Sequence, residues 1–170
     1  MNGLKKQILK GKIFIYPTDT IYGLGCNALN KKSVLRIKEI KKRDFNKPLS
    51  VIAPSISWIE ENCIVDVNLD KYFPGPYTVV LKKKDDKFLD HVASGDSIGV
   101  RIPSSDFCDK IKEIGVPFIT TSVNLSGQEP VYKVEEVSDE SREKVDIVID
   151  EGELNGNPST LIINGKEVVR

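Results

Sequence analysis

The ten residues from Tyr16 to Gly25, YPTDTIYGLG, decide how this chain is read. They follow the apolar run Ile13-Phe14-Ile15, which has the composition of a buried strand. Pro17 cannot donate a ladder hydrogen bond, so strand pairing is expected to stop about there. The chain then presents Thr18, Asp19 and Thr20, with Gly23 and Gly25 close behind. Small hydroxyls at the end of a core strand stand where open α/β sheets place their ligands. Taken by itself, the segment reads equally well as a strand running into an ordinary Gly-rich turn.

A second segment repeats the pattern. In FITTSVNLSG, Phe118 to Gly127, an apolar strand gives way to Thr120, Thr121, Ser122, Asn124 and Ser126. Hydroxyls and an Asn amide supply donors and acceptors without charge. Two such strand ends are expected to lie together on one sheet edge.

Around these segments the apolar pattern predicts strands over 12–17, 49–53, 77–83, 98–103, 116–120, 146–150, 159–164 and 167–170. Helices are predicted over 4–10, over 33–43 with Ser33 as N-cap, and over 105–114 with Gly115 ending it. The stretch 55–73 has helical character, and 133–144 reads as an exposed helix. Strands and helices mixed in this way predict an α/β sheet protein whose strand order the pattern leaves open. No repeat or linker divides the 170 residues, so 1–170 reads as a single domain.

Lys plus Arg equals Asp plus Glu, at 25 each, so no global field is available to hold a polyanion. No apolar run approaches the roughly 20 residues of a membrane span, and the basic N-terminus lacks a signal peptide's apolar stretch and cleavage site. A cytoplasmic location is expected. Cys26, Cys63 and Cys108 are odd in number and widely spaced, which predicts buried free thiols and neither a disulfide framework nor a zinc site. His91 is the only histidine, so a Ser-His-Asp triad is not expected.

Three cationic features stand out. Arg101 lies mid-strand, opposite the stripe Ile98, Val100 and Ile102; a solvated sheet face is the plainer reading and a polar cleft the other. Its donors suit a carboxylate or phosphate. Lys41-Lys42-Arg43, with Lys47 behind, ends a helix, where cations either complement the helix dipole or bind phosphate. Nothing matches GxxxxGK[ST], so any nucleotide would be held by side-chain cations and strand-end hydroxyls. Lys82-Lys83-Lys84 reads as a solvated edge.

In chain order, YPTDTIYGLG, the K-x-R of Lys41 and Arg43 with Pro48-Leu49, FPGPYTVVL, GVRIP, the S-x-N of Ser122 and Asn124 with LSG, and the late Ser159-Thr160 before a strand resemble the YrdC-like domain of threonylcarbamoyl-AMP synthases. The resemblance runs from about residue 4 to residue 170. It implies a twisted, open, mixed α/β sheet with flanking helices and a concave, positively lined cleft. It also implies synthesis of L-threonylcarbamoyladenylate from L-threonine, bicarbonate or CO2, and ATP with Mg²⁺, releasing pyrophosphate. The adenylate would feed a tRNA-modifying threonylcarbamoyl transferase.

By the same resemblance, Thr20 and Thr120 would contact threonine and Arg101 would pair with its carboxylate. Lys41, Arg43, Lys47, Ser97, Ser122, Asn124, Ser159 and Arg170 match positions lining the ATP site, with Lys41 and Arg43 carrying the catalysis and no metal ligand among the protein's residues. The alternative is a double-stranded RNA-binding module of the same fold, in which the basic run would grip tRNA or duplex phosphates and binding would fall with salt. The chain departs from the family pattern at Asp44, where proline is usual, and at Ile52, where a histidine is common.

Overall fold

The computed structural model describes residues 2–168. Its elements are α1 (Asn2–Leu9), β1 (Phe14–Pro17), β2 (Tyr22–Gly25), α2 (Lys31–Ile40), β3 (Ser50–Ile52), α3 (Ile56–Asn62), β4 (Cys63–Ile64), β5 (Tyr77–Lys83), β6 (Ser97–Arg101), α4 (Asp106–Ile114), β7 (Phe118–Ser122), α5 (Asp139–Glu143), β8 (Ile147–Val148), β9 (Thr160–Ile163) and β10 (Lys166–Val168). Among the described residues the strands form one open sheet in the order β10-β9-β5-β6-β3-β7-β2-β1-β8, with β4 on β5. It is mixed: β3 with β6, β5 with β9 and β1 with β8 are parallel, and the remaining pairs are antiparallel. This is the predicted class of fold.

Residues paired across neighbouring strands share a face, so the register sorts the side chains. One face carries Ile15, Leu24, Ile119, Val51, Val100 and Val79, which join the larger core with Val34 and Ile37 of α2 and Ile59 of α3. The other face is divided. Phe14, Tyr16, Phe118 and Ile52 pack there beneath Ile8 of α1 and Phe107, Cys108 and Ile111 of α4. The rings of Phe14, Tyr16, Phe107 and Phe118 stand 4.8–5.9 Å apart at tilted and edge-on angles. Beyond that cluster the same face turns small and polar: Gly23, Ser122, Thr120, Ser50, Gly99, Arg101 and Thr78. The side chains change character where the helices stop covering the sheet.

Gly23 and Gly25 belong to strand β2 and not to a turn. A Cβ on Gly23 would lie 2.9 Å from the Tyr16 ring, and one on Gly25 only 2.1 Å from the Ile119 carbonyl oxygen. The glycines let the aromatic ring and strand β7 approach.

The remaining departures have local causes. Helix α2 starts two residues earlier than predicted because Asn30 caps it, its Oδ1 accepting from Ser33 N at 3.1 Å, while Ser33 Oγ donates to the Gly11 carbonyl. The stretch 55–73 is not one helix: α3 ends at Asn62, Cys63 and Ile64 pair with Lys83 and Lys82 of β5, and Leu69–Lys71 is a single 3₁₀ turn. Strand β7 begins at Phe118 because Pro117 has no N–H to start a ladder. Residues 133–144 split into a 3₁₀ turn, Val134–Glu136, and α5, with Ser138 capping the latter. Lys83 is buried, contrary to the solvated-edge reading of Lys82-Lys83-Lys84. Its Nζ donates to the carbonyls of Asp86, Phe88 and Ala93 at 2.8, 3.1 and 2.9 Å and fixes the loop between β5 and β6.

Candidate active site

Strands β1 and β6 are separated by three others in the sheet order, which in a flat sheet would hold them about 19 Å apart. Their C-terminal ends nevertheless meet. Arg101 Nη2 pairs with Asp19 Oδ1 and donates to Thr20 Oγ1 at 3.1 Å, so the sheet coils into a concave face. Arg101 is 5% exposed, which settles its two readings: it points into a polar cleft and not onto a solvated face. Ser104 N donates to Asp19 Oδ2 at 3.0 Å and ties the loop after β6 to the same carboxylate.

The turn that carries Asp19 is built by Thr18. Its Oγ1 accepts from the backbone N–H of Thr20 and Ile21, donates to the Ile21 carbonyl at 2.8 Å, and lies 2.9 Å from Thr20 Oγ1. This hydroxyl-centred turn holds Thr20 almost fully buried beside Arg101. Gly156 packs against the backbone of Thr20, and its N–H donates to the Thr20 carbonyl at 3.2 Å. A strap between β8 and β9 thus crosses the turn; the Tyr22 hydroxyl anchors it by donating to the Gly152 carbonyl at 2.8 Å. Beneath the open face that carries Thr120, the Tyr16 phenol donates to the Ile119 carbonyl at 3.2 Å. Burial pushes that phenol well above its ordinary pKa, so it stays protonated.

A second group of residues gathers where α2 ends. Lys41 is the C-cap residue of that helix and is 2% exposed. Its Nζ donates to the carbonyls of Ser122 and of Asn124, the latter at 2.7 Å, and lies 3.5 Å from Ser122 Oγ. Burial, aided by the neighbouring Arg43 charge, lowers its pKa from 10.5 to about 8. Arg43 Nη2 donates to the Pro48 carbonyl at 2.8 Å, and burial lowers its pKa also. The loop between them and β3 is shaped by Asp44, whose Oδ1 accepts from Asn46 N, and this loop carries Lys47 exposed. Ile52 fills the aromatic cluster. The Asn124 amide donates to the carbonyls of Leu125 and Gln128, so this side chain shapes the loop after β7.

The structure therefore brings Thr20, Arg101 and Asp19 together at one end, and Lys41, Ser122 and Asn124 at the other, with Arg43 beside Lys41. Thr120 and Ser50 lie on the face between. Ser97 opens β6 on the Arg101 face, four residues from it along the strand. Ser159 Oγ lies 2.8 Å from Thr78 Oγ1 on the neighbouring strand. Arg170 lies outside the described residues. Asp19, Thr18, Ser50 and Thr78 join this face although nothing local in the sequence marks them as ligand contacts, save for Asp19 its place as an acid inside a run of threonines.

Next to Asn124 opens a cavity of about 380 Å³, lined in part by Leu125, Gln128, Pro130, Val131 and Tyr132. Among the described residues, four buried side-chain polar atoms lack a hydrogen-bond partner, and three of them belong to this site: Arg43 Nε, Arg101 Nε and Asn124 Oδ1. Native interiors rarely leave such groups unpaired, so their concentration here points to a polar ligand. Also among the described residues, no group of three or more His, Cys, Asp or Glu could hold a metal ion, and no helix is long and apolar enough to cross a membrane. The three cysteines are free and buried, and burial pushes the Cys63 and Cys108 thiols up to about 11. His91 bonds the Ala28 carbonyl through Nε2 at 2.7 Å and takes no part in a triad.

The Sua5/YciO/YrdC family model, described as “Telomere recombination”, matches residues 6–170. A Methanocaldococcus jannaschii protein is 44% identical over 165 residues, covering 94% of this chain and 77% of its own length. The threonylcarbamoyl-AMP synthase of Blochmanniella pennsylvanica is 30% identical over 176 residues, covering 98% and 91%. Pyrococcus abyssi Sua5, solved in complex with L-threonine, superposes with a TM-score of 0.82 at 29% identity; the match covers 96% of this chain and half of that one.

Proposed function

The chain belongs to the Sua5/YciO/YrdC family, and we infer that it is a threonylcarbamoyl-AMP synthase serving tRNA threonylcarbamoyladenosine formation. Within that activity, we place L-threonine at Thr20, Thr120 and Arg101, and the phosphates of ATP at Lys41, Arg43 and Ser122. The nucleoside extends along Asn124 toward the cavity beside it. The observation that carries this placement is the pair of buried, unpartnered Nε donors of Arg101 and Arg43, one at each end of a single concave face.

The amine of threonine captures CO2, giving up a proton and forming a carbamate. A carbamate oxygen then attacks the α-phosphorus of ATP, and the bond from that phosphorus to the pyrophosphate oxygen breaks. Both reactants are anions at that moment, so they must be held together against their repulsion. Lys41 and Arg43 supply the positive charge at the junction, and their partly dehydrated setting strengthens it toward the phosphates. Lys41 is already aimed, because two carbonyls fix its ammonium before any substrate arrives. Mg²⁺ enters with ATP as part of the substrate, held by phosphate oxygens as is usual for this ion. Nothing in the route requires a covalent enzyme intermediate, and the buried, protonated thiols offer no nucleophile.

The test is release of pyrophosphate with each component omitted in turn. Release that requires L-threonine, bicarbonate and ATP together supports the assignment; release indifferent to threonine contradicts it. Ser97, Lys47, Ser159 and Arg170 are assigned to the nucleotide as well, and their alanine variants should raise the KM for ATP more than that for threonine.

A further inference from the structure

The Asp19–Arg101 pair joins a negative and a positive group at the mouth of the cleft, and each has capacity left over. Arg101 Nε is buried without a partner. Each carboxylate oxygen of Asp19 is hydrogen-bonded once, Oδ1 to Arg101 and Oδ2 to Ser104 N, while a carboxylate has about four lone-pair positions. Asp19 is also the only acid, among the described residues, bonded to Thr20, Arg101, Lys41 or Arg43.

The neighbouring threonine has a fixed polarity. Thr18 gives its hydroxyl proton to the Ile21 carbonyl, so across the Thr18–Thr20 contact Thr20 must be the donor. Arg101 donates to the same Thr20 oxygen. Toward a ligand, Thr20 therefore has a lone pair to offer and no proton. The turn as a whole presents acceptors, and the arginine beside it presents donors.

That pattern complements a molecule carrying a carboxylate next to an ammonium. A site with Arg101 alone would attract the carboxylate and repel the ammonium one bond further on. We propose that the Asp19 carboxylate holds the α-ammonium of the substrate, so that Asp19 and Arg101 form a clamp reading both charges of an amino-acid zwitterion. This rests on the assignment of L-threonine to this end of the cleft. The clamp distinguishes an α-amino acid from the matching α-hydroxy acid, whose neutral hydroxyl gains little from a carboxylate partner. Once the held ammonium has released a proton to solvent, the resulting amine stands in a fixed position for the step in which it meets CO2.

The experiment compares binding of L-threonine with binding of the 2,3-dihydroxybutanoate in which a hydroxyl replaces the ammonium, by calorimetry on the wild type and on Asp19→Asn. The wild type should prefer threonine by roughly 10- to 100-fold, the size of one charge-assisted contact. In Asp19→Asn threonine should weaken by that factor while the hydroxy acid stays within about twofold, collapsing the preference. Equal weakening of both ligands would show that Asp19 only orients Arg101 and would overturn the clamp; so would unchanged threonine binding. Should Asp19→Asn not fold, the wild-type ratio decides, since a preference near one contradicts the proposal. Failure of the wild type to bind L-threonine at all would instead remove the synthase assignment on which the clamp stands.

Discussion

Lys41 is a cation kept in place at a cost. Its pKa in the folded protein, about 8, lies below the ordinary 10.5, so the unfolded chain binds the proton more tightly than the folded one. The penalty is present in full below pH 8, and this group makes stability rise as pH increases from about 8 toward 10.5. Bound phosphates reverse the balance by favouring the charged form. Nucleotide binding near pH 8 should therefore take up a proton, measurable by calorimetry in buffers of different ionisation enthalpy, and uptake should fade at pH 6.5. Uptake equal at both pH values would separate Lys41 from the phosphates. Arg43 lends itself to a cleaner substitution, because among the described residues its one hydrogen bond is to the Pro48 carbonyl. Arg43→Ala should lower kcat/KM by roughly 100-fold or more while moving Tm by only a few degrees. A large drop in Tm would assign Arg43 to the loop and not to the chemistry.

At the scale of elements, the hairpin of β1 and β2 is where the sequence was both most and least legible. Its polar turn was visible as the hydroxyls and acid after Pro17, and the second strand end at Thr120 and Ser122 pointed to the same cleft. The role of Gly23 and Gly25 was not visible, because it depends on the strand pairing that lays the Tyr16 ring over Gly23 and on the Ile119 carbonyl that a distant strand brings to Gly25. Gly25→Ala should destabilise the fold by about 3 kcal/mol or more, since the new methyl meets backbone that cannot swing aside. A melt within a degree of wild type would show that β2 and β7 separate easily. Lys83 carries the same lesson: a run of three lysines reads as solvated, yet the middle one crosses into the core to satisfy three carbonyls. Lys83→Met should cost about 2–4 kcal/mol in urea unfolding by stranding those acceptors. A cost near zero would mean that water replaces the ammonium.

Over the whole molecule, function follows from the way one sheet face is shared. Aromatic side chains and two helices close half of it, and the coiling of the sheet turns the rest into a groove bordered by Arg101 at one end and Lys41 at the other. The ordered series of motifs made the family legible without revealing strand order, since register and coiling arise from contacts between distant segments. Asp19 shows the limit: its pairing with Arg101 joins residues 82 apart and appears only once the sheet has coiled. The most direct measurement is incubation with ATP, Mg²⁺, bicarbonate and each amino acid in turn, with mass detection of the adenylate. Threonylcarbamoyl-AMP should form with L-threonine and require bicarbonate. An adenylate formed equally well from any amino acid, or none formed with threonine, would contradict the assignment of this groove.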